Sequence, residues 1–235
     1  MKLTLVQPTD VPGPLRDRFG AYHFMFERMF AKTGFAFETI RLSEGETLPD
    51  PATLDATLVM GSAAGVYDTQ YEWMDPLRDF IRAAYKARTP MIGICFGHQI
   101  MADALGGDVR KSEKGWGLGR HVYAANAGAA ASGVALREFA IACSHQDQVI
   151  VPPAEAETFL SSDFTPHAGL VYRNGAAMSL QPHPEFEDEY MLALAELRRG
   201  RAPDAVVDTA LASVSRRSDS ADMAKALAAF LSQPR

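Results

Sequence analysis

A short apolar segment that runs straight into a glycine-flanked cysteine limits the fold of this chain more than any other feature. Met91–Ile94 predicts a buried strand, and Phe96–Leu105 predicts a helix directly after it. Between the two, Gly93 and Gly97 flank Cys95, which leaves the chain one tight turn from strand to helix. A Cβ atom at either glycine would collide with neighbouring strands. The sequence therefore predicts a buried sheet with a cysteine on a strand-to-helix turn.

The first part of the chain alternates short apolar segments with helix-like ones. Short, apolar strands separated by helices are typical of a mostly parallel sheet covered by helices on both faces. We therefore expect an α/β fold with an open sheet. Besides the segments around Cys95, the predicted strands are Leu3–Val6, Ala36–Arg41 and Ala56–Met60, and the predicted helices are Pro14–Ala31 and Met74–Ala87.

The pattern changes after Val109, where short strands with turn signals follow one another and Asn174-Gly175 marks a hairpin bend. We expect additional antiparallel strands here, and helices again from about residue 188. The alanine-rich stretch Ala124–Ala135 is compatible with either a small helix or a loop. The predicted strands are His121–Ala124, Glu138–Cys143, Ala168–Tyr172 and Ala176–Gln181, and the predicted helices are Tyr190–Arg199, Ala202–Ser213 and Ala221–Leu231.

The composition is that of a globular chain and excludes several classes of protein. Of 235 residues, 47% are hydrophobic and 22% are charged, and 23 basic against 29 acidic side chains give a net charge of −6. This balance provides no general attraction to nucleic acid or anionic lipid. The longest apolar stretches are shorter than the roughly 18 residues of a membrane span, and the N-terminus does not read as a secretory signal. We expect one cytoplasmic domain over residues 1–235, without a nucleic-acid or membrane partner.

Cys95 is the strongest candidate for a catalytic residue. The two cysteines, Cys95 and Cys143, are too few for a disulfide scaffold, and neither has another cysteine at metal-ligand spacing. A helix N-terminus favours the thiolate, because its free N–H groups and its dipole stabilise negative charge. The N–H of Phe96 would then point to where an oxyanion forms. On this segment alone, a buried apolar cysteine between glycines that permit close packing is an equal alternative.

The segment Gln181–Glu185 (QPHPE) offers a base and a group that orients it, at the end of another predicted strand. Side chains two residues apart on an extended chain point to the same side, so His183 and Glu185 can lie together while His183 faces Cys95. The two prolines of the segment keep it out of a helix. The alternative is a loop that caps the next helix. The occurrence of this segment together with the cysteine turn favours the catalytic interpretation, with a nucleophile, a base and an orienting carboxylate.

Gly93–Gly107 (GICFGHQIMADALGG) and Gln181–Phe186 (QPHPEF) resemble, in this order, the motifs of the class I glutamine amidotransferase family. Stand-alone members, the GMP-synthase-like amidotransferases and the γ-glutamyl peptidases, look most similar. The resemblance extends over Leu58 to Phe186. It implies a flavodoxin-like fold and a Cys-His-Glu triad of Cys95, His183 and Glu185, acting without a metal or an organic cofactor.

The same resemblance implies an oxyanion hole after the strand Ala56–Met60. The family often has a Gly-Gly-Pro loop there, and this chain has Gly61-Ser62-Ala63, in which the first glycine matches and the next positions differ. The backbone of Gly61 and Ser62 is therefore expected to act with the N–H of Phe96.

The resemblance also implies a pocket for the glutamine side chain. Gln99, one helical turn after Cys95, matches a glutamine that holds the α-amino-acid end of the substrate. Ser144, His145 and Gln146 match a loop whose backbone lines the pocket. A polar turn between strands is the alternative for that loop.

We expect Cys95 to attack the γ-carbonyl of glutamine or of a γ-glutamyl compound and to form a γ-glutamyl thioester, which water hydrolyses with help from His183. The chain has no G-x-x-x-x-G-K-[ST] loop for a nucleotide. Either a separate synthetase subunit accepts the ammonia, or the protein is a γ-glutamyl peptide hydrolase that needs no partner. A non-catalytic regulatory module is a third possibility. An α/β-hydrolase is disfavoured, because in that class the acid precedes the histidine in sequence.

Overall fold

The computed structural model describes residues 1–126, 132–135 and 137–233. Within them the strands are β1 (Lys2–Gln7), β2 (Ala36–Arg41), β3 (Ala56–Val59), β4 (Met91–Ile94), β5 (Asp108–Lys111), β6 (Gly117–Ala125), β7 (Glu138–His145), β8 (Asp147–Val151), β9 (Ala156–Ser161), β10 (Gly169–Tyr172) and β11 (Ala177–Leu180). The α-helices are α1 (Gly13–Phe19), α2 (His23–Met29), α3 (Met74–Ala87), α4 (Phe96–Ala104), α5 (Asp188–Leu197), α6 (Asp204–Ala212) and α7 (Ser220–Leu231).

Nine of these strands form one sheet in the order β2-β1-β3-β4-β11-β10-β9-β6-β7. The strands from β2 to β11 in this order are parallel, and those from β11 to β7 are antiparallel. A separate antiparallel pair joins β5 to β8. The predicted α/β fold, with additional antiparallel strands in the second half, is confirmed.

The central strands are buried on both faces, because their side chains alternate between two cores. Leu3 and Ile92 belong to the core beneath α1, α2, α5 and α7, whereas Val6 and Met91 belong to the core beneath α3 and α4. Helices therefore cover both faces of the sheet, as the sequence predicts.

Among the described residues no helix combines the length and the apolar composition that crossing a bilayer would need.

The sheet brings together the ends of three adjacent parallel strands. Val59 of β3 pairs with Gly93 of β4, and Ile94 of β4 pairs with Leu180 of β11. The chain therefore leaves β3, β4 and β11 at the same edge of the sheet, and ligands of open α/β folds bind at this edge. The residues that follow these strands include the candidate residues Gly61, Cys95 and His183.

Several sequence predictions need correction. The predicted helix Pro14–Ala31 is two helices, because Gly20 takes a φ of +81° between them. The strand predicted to end at Cys143 continues to His145, so part of the expected polar loop is strand. The strands β5, β8 and β9 are not predicted at all, and part of the stretch Ala124–Ala135 lies outside the described residues.

Candidate active site

Cys95 occupies a strained turn that its two glycine neighbours make possible. Its φ of +52° and ψ of −101° are rare for a residue with a side chain, and strain of this kind is concentrated at functional sites. A Cβ atom on Gly97 would lie 2.0 Å from the carbonyl oxygen of Val59, and one on Gly93 would lie 2.5 Å from that of Gly97. The turn therefore requires glycine at both positions; the clash at Gly97 is with the neighbouring strand β3, as predicted, whereas the clash at Gly93 is with helix α4 and not with a strand.

Backbone hydrogen bonds fix Cys95 between β11 and α4. Its N–H donates to the carbonyl of Leu180 at 2.8 Å, and its own carbonyl accepts from the N–H of Gln99 at 3.0 Å. The side-chain amide of Gln181 lies 3.5 Å from Sγ. The thiol is consequently held at the N-terminus of α4, where the first N–H groups of the helix have no acceptor within the helix.

His183 and Glu185 form the closest polar pair of this site. Nδ1 of His183 lies 2.6 Å from Oε1 of Glu185, and both side chains are buried. The hydroxyl of Tyr22 donates to the same oxygen at 2.7 Å. Because Glu185 occupies Nδ1, the remaining ring nitrogen, Nε2, is the one available to Cys95.

The imidazole of His183 is also fixed by packing. It stacks on the ring of Phe186, with centroids 3.9 Å apart and an interplanar angle of 6°. Its backbone N–H donates to the carbonyl of Ala142 at 2.8 Å, which ties it to β7. Gly61 also approaches the ring closely, since a Cβ atom there would lie 3.2 Å from Cε1 of His183.

The electrostatic surroundings keep His183 protonated. Burial lowers the pKa of the imidazole, but the negative charges of Glu185 and Cys95 outweigh burial and raise that pKa to about 10. An imidazolium beside a cysteine is the arrangement that supports a thiolate nucleophile.

Two cavities meet at Cys95, of about 300 and 60 Å³. The residues that line both cavities are Cys95, Ser62, Ala63, Ser144 and Arg198. A hollow of about 940 Å³ between residues 42–51 and 70–83 contains none of the predicted site residues. The larger cavity at Cys95 is also lined by Ala64, Gly65, Tyr67, Asp68, Gln99, Lys111, Trp116, His145, Gln146, Asp147 and Arg201, and the smaller one by Asp10, Val11, Pro12, Tyr22, Gly61, His183, Phe186, Tyr190 and Leu194.

The residues predicted for the glutamine pocket lie together in the larger cavity. Gln99 donates from Nε2 to the backbone carbonyl of Asp147 at 2.9 Å and to Oε1 of Gln181 at 3.2 Å, so it links α4 to two strand ends. Ser144, His145 and Gln146 line the same cavity. Their roles in substrate binding stay predictions.

Two of the predicted oxyanion residues line the cavities at Cys95, and the third, Phe96, directly follows Cys95 in the chain. Gly61 lines the smaller cavity and Ser62 lines both, where the Ser62 hydroxyl lies 2.9 Å from that of Thr9. The side chain of Phe96 is buried against Trp73, with ring centroids 5.8 Å apart. Only the backbone of Phe96 can therefore serve the site.

Two other histidines near the sheet edge are poor candidates for the base. Burial lowers the pKa of both His98 and His145 to about 3. Nδ1 of His98 lies 2.8 Å from the hydroxyl of Ser179, and Nδ1 of His145 lies 3.2 Å from the carbonyl of Asp147. Both stay neutral at physiological pH.

The described residues contain no group of three or more His, Cys, Asp or Glu side chains that could hold a metal ion.

Two residues of the site escape the sequence analysis. Tyr22 belongs to an aromatic stripe that reads as core, although a buried tyrosine hydroxyl needs a partner and so signals a polar contact. Arg198 lies at the end of α5, in line with Tyr190 and Leu194 at four-residue spacing. That spacing would have indicated a common helix face, but nothing in the sequence indicates that the face meets Cys95.

The sequence profile of the glutamine amidotransferase class-I family matches residues 15–191. A relative from Saccharomyces cerevisiae is 32% identical over 135 residues, which span 56% of this chain and 53% of the yeast protein. γ-Glutamyl peptidase 5 of Arabidopsis thaliana is 26% identical over 77% of this chain and 74% of its own length. The glutamine-hydrolysing GMP synthase of Aeropyrum pernix is 27% identical over 77% of this chain, but the match spans only 34% of that protein.

A solved structure shares the fold along nearly the whole chain. The glutamine amidotransferase of Thermotoga maritima superposes with a TM-score of 0.79 and covers 99% of both chains at 19% identity. The predicted flavodoxin-like fold is thereby confirmed.

Proposed function

This chain belongs to the class I glutamine amidotransferase family, and we propose that it is an enzyme that hydrolyses γ-glutamyl amide bonds through a thioester on Cys95. The strained turn that carries Cys95, beside the buried pair of His183 and Glu185, supports this function most strongly. We further propose that residues 1–235 act as one amidotransferase-like domain.

The first half-reaction forms the thioester. The Cys95 thiolate attacks the γ-carbonyl carbon, so a bond from Sγ to carbon forms while the carbonyl oxygen becomes an oxyanion. N–H groups of Phe96 and of the Gly61-Ser62 turn would stabilise that charge. When the carbon–nitrogen bond breaks, His183 donates its proton from Nε2 to the departing amine. The products are the γ-glutamyl thioester, the free amine and a neutral His183.

The second half-reaction restores the enzyme. Neutral His183 takes a proton from water as the water oxygen bonds to the thioester carbon. The carbon–sulfur bond then breaks, and Cys95 leaves as a thiolate beside the imidazolium of His183. Glu185 keeps the imidazole in one orientation throughout, through its contact with Nδ1.

Release of glutamate from L-glutamine and from γ-glutamyl dipeptides tests this function. Purified protein should release glutamate from at least one of these compounds, and Cys95→Ala should release none. Cys143→Ala is the matched control, because Cys143 lies in β7 and lines neither cavity. Absence of turnover with every compound would contradict the proposal and favour a non-catalytic module.

The similarity to GMP synthase favours a second candidate, in which the released ammonia passes to a synthetase subunit. The matched part of that relative is 34% of its length, so a synthetase partner would supply chemistry that these residues lack. A synthetase-dependent enzyme would show weak glutaminase activity and no dipeptide turnover. A self-sufficient γ-glutamyl hydrolase would turn over dipeptides unaided.

A further inference from the structure

The guanidinium of Arg198 lines both cavities at Cys95 and pairs with no carboxylate among the described residues. It lies over the ring of Trp116, with Cζ 5.0 Å from the centroid, and its Nε is buried. Among the described residues it has neither an ion-pair nor a hydrogen-bond partner. Arg199, the next residue, instead pairs with Glu196, Asp204 and Asp208. The fold thus neutralises one arginine at this helix end and leaves its neighbour free for a ligand.

Arg198 is half-buried with its Nε inaccessible to solvent, so leaving its charge without a carboxylate is unfavourable, and a bound anion would relieve that cost. Burial and the positive charge of Arg201 lower the pKa of Arg198 and outweigh Cys95 and Tyr190, which raise it. A carboxylate suits a guanidinium best, because its two oxygens match the two parallel N–H groups of the fork.

A γ-glutamyl amino acid has two carboxylates that Arg198 could bind, one on the γ-glutamyl group and one on the leaving group. The residues that line the two cavities distinguish between them. The larger cavity contains two further cations, Lys111 and Arg201, which are available to the carboxylate of the γ-glutamyl group itself. In the smaller cavity the cations are Arg198 and the imidazolium of His183; Glu185 already accompanies His183, and the acid of this cavity, Asp10, already pairs with Arg16. His183 lines only the smaller cavity.

Because His183 protonates the departing nitrogen, the leaving group must face the smaller cavity. In a γ-glutamyl amino acid, one carbon separates that nitrogen from the α-carboxylate of the leaving group. The α-carboxylate of such a leaving group would therefore lie in the smaller cavity, which Arg198 lines. Ammonia, the leaving group of glutamine, has nothing to offer the guanidinium.

We propose that Arg198 binds the α-carboxylate of the departing amino acid, so that the preferred substrates are γ-glutamyl amino acids with a free carboxylate next to the scissile bond. This inference rests on the proposed function. The small volume of the cavity, about 60 Å³, favours a leaving group the size of glycine or alanine.

Two substrates that differ only in this carboxylate test the proposal: γ-glutamylglycine and γ-glutamylmethylamide. The wild-type protein should show a higher kcat/KM for γ-glutamylglycine, by about tenfold or more, as expected for a charge-assisted contact. Arg198→Met should remove that preference, a loss of about tenfold or more that brings the two kcat/KM values close together. Arg201→Met is the matched control and should change kcat/KM for both substrates by the same factor.

Equal kcat/KM values for the two substrates in the wild-type protein would overturn the proposal, as would an equal loss with both in Arg198→Met. Arg198→Lys, which keeps the charge, should retain part of the preference and guards against a variant that misfolds. If the wild-type protein turns over neither of these substrates nor L-glutamine, the proposed function fails. Calorimetric binding to Cys95→Ala then decides the role of Arg198, because equal Kd values for the two compounds would refute it and tighter binding of γ-glutamylglycine would support it.

Discussion

Tyr22 and His183 meet at one atom, the Oε1 oxygen of Glu185. The tyrosine hydroxyl donates to it at 2.7 Å, and Nδ1 of the histidine lies 2.6 Å away. The other carboxylate oxygen, Oε2, is buried and has no partner among the described residues. A single oxygen therefore receives both contacts, and Tyr22 determines where the carboxylate can stand relative to the imidazole.

Replacing Tyr22 with phenylalanine removes this contact and keeps the ring. We expect kcat to fall about tenfold, the value of one hydrogen bond to a charged group, while KM changes little. Steady-state kinetics on a γ-glutamyl substrate would measure both. Tyr172→Phe is the control, because Tyr172 is also buried and lies 3.4 Å from a serine hydroxyl but lines neither cavity. An unchanged kcat in Tyr22→Phe would refute a positioning role.

The pH profile should have a late alkaline limb. His183 must be protonated to donate a proton to the departing amine. Because its pKa is raised to about 10, it retains that proton until the pH rises through this value. We therefore expect kcat/KM to hold between pH 7 and 9, and to decline only as the pH approaches about 10. A decline centred near the ordinary histidine pKa would contradict this expectation.

Glu185→Gln should move that limb to lower pH. The carboxylate charge is the largest influence that raises the pKa of His183, whereas burial lowers it. Without the charge, burial dominates and the imidazole loses its proton earlier. We expect a shift of at least about one pH unit, together with a lower kcat at neutral pH. The measurement is kcat/KM from pH 5 to 10, and an unmoved limb would show that Glu185 does not set the proton affinity of His183.

Gly97→Ala should destabilise the fold itself. The new Cβ atom would lie 2.0 Å from the backbone oxygen of Val59, and neither β3 nor α4 can shift without disturbing the sheet. We expect a loss of about 3 kcal/mol or more in the free energy of unfolding, measured by urea denaturation. Gly13→Ala is the control, because nothing lies within 4 Å of a Cβ there and its φ is not positive. Equal stability of the two variants would contradict the tight turn.

Local sequence patterns are enough to predict the turn at Cys95 and the extended segment that contains His183 and Glu185. In each, residues adjacent in the chain determine the backbone, so glycine spacing and strand alternation suffice. The parallel part of the sheet is equally predictable, because its strands are short, apolar and separated by helices. Strand β5 is mostly polar, and in β8 the apolar residues are consecutive with Ile150 and Val151 exposed, so neither strand shows the alternation that reveals a half-buried strand.

Contacts between distant elements are beyond such patterns. Tyr22, which precedes α2, contacts Glu185, which follows β11, across a separation of 163 residues, and Arg198 at the end of α5 lines the cavities at Cys95. Neither placement follows from helical periodicity, which assigns Tyr22 to the core and leaves Arg198 among surface charges. The break at Gly20 is likewise decided by one residue whose positive φ the sequence permits but does not require.

The central claim is that Cys95 forms the γ-glutamyl thioester. The most direct measurement is mass spectrometry of acid-quenched protein, followed by peptide mapping, after brief reaction with a γ-glutamyl substrate. Cys143 is an internal control, since burial raises the pKa of its thiol to about 12. We expect one added γ-glutamyl group on the peptide that contains Cys95, none on the peptide of Cys143, and none in Cys95→Ala. An adduct that persists in Cys95→Ala, or turnover without any adduct on Cys95, would contradict the account.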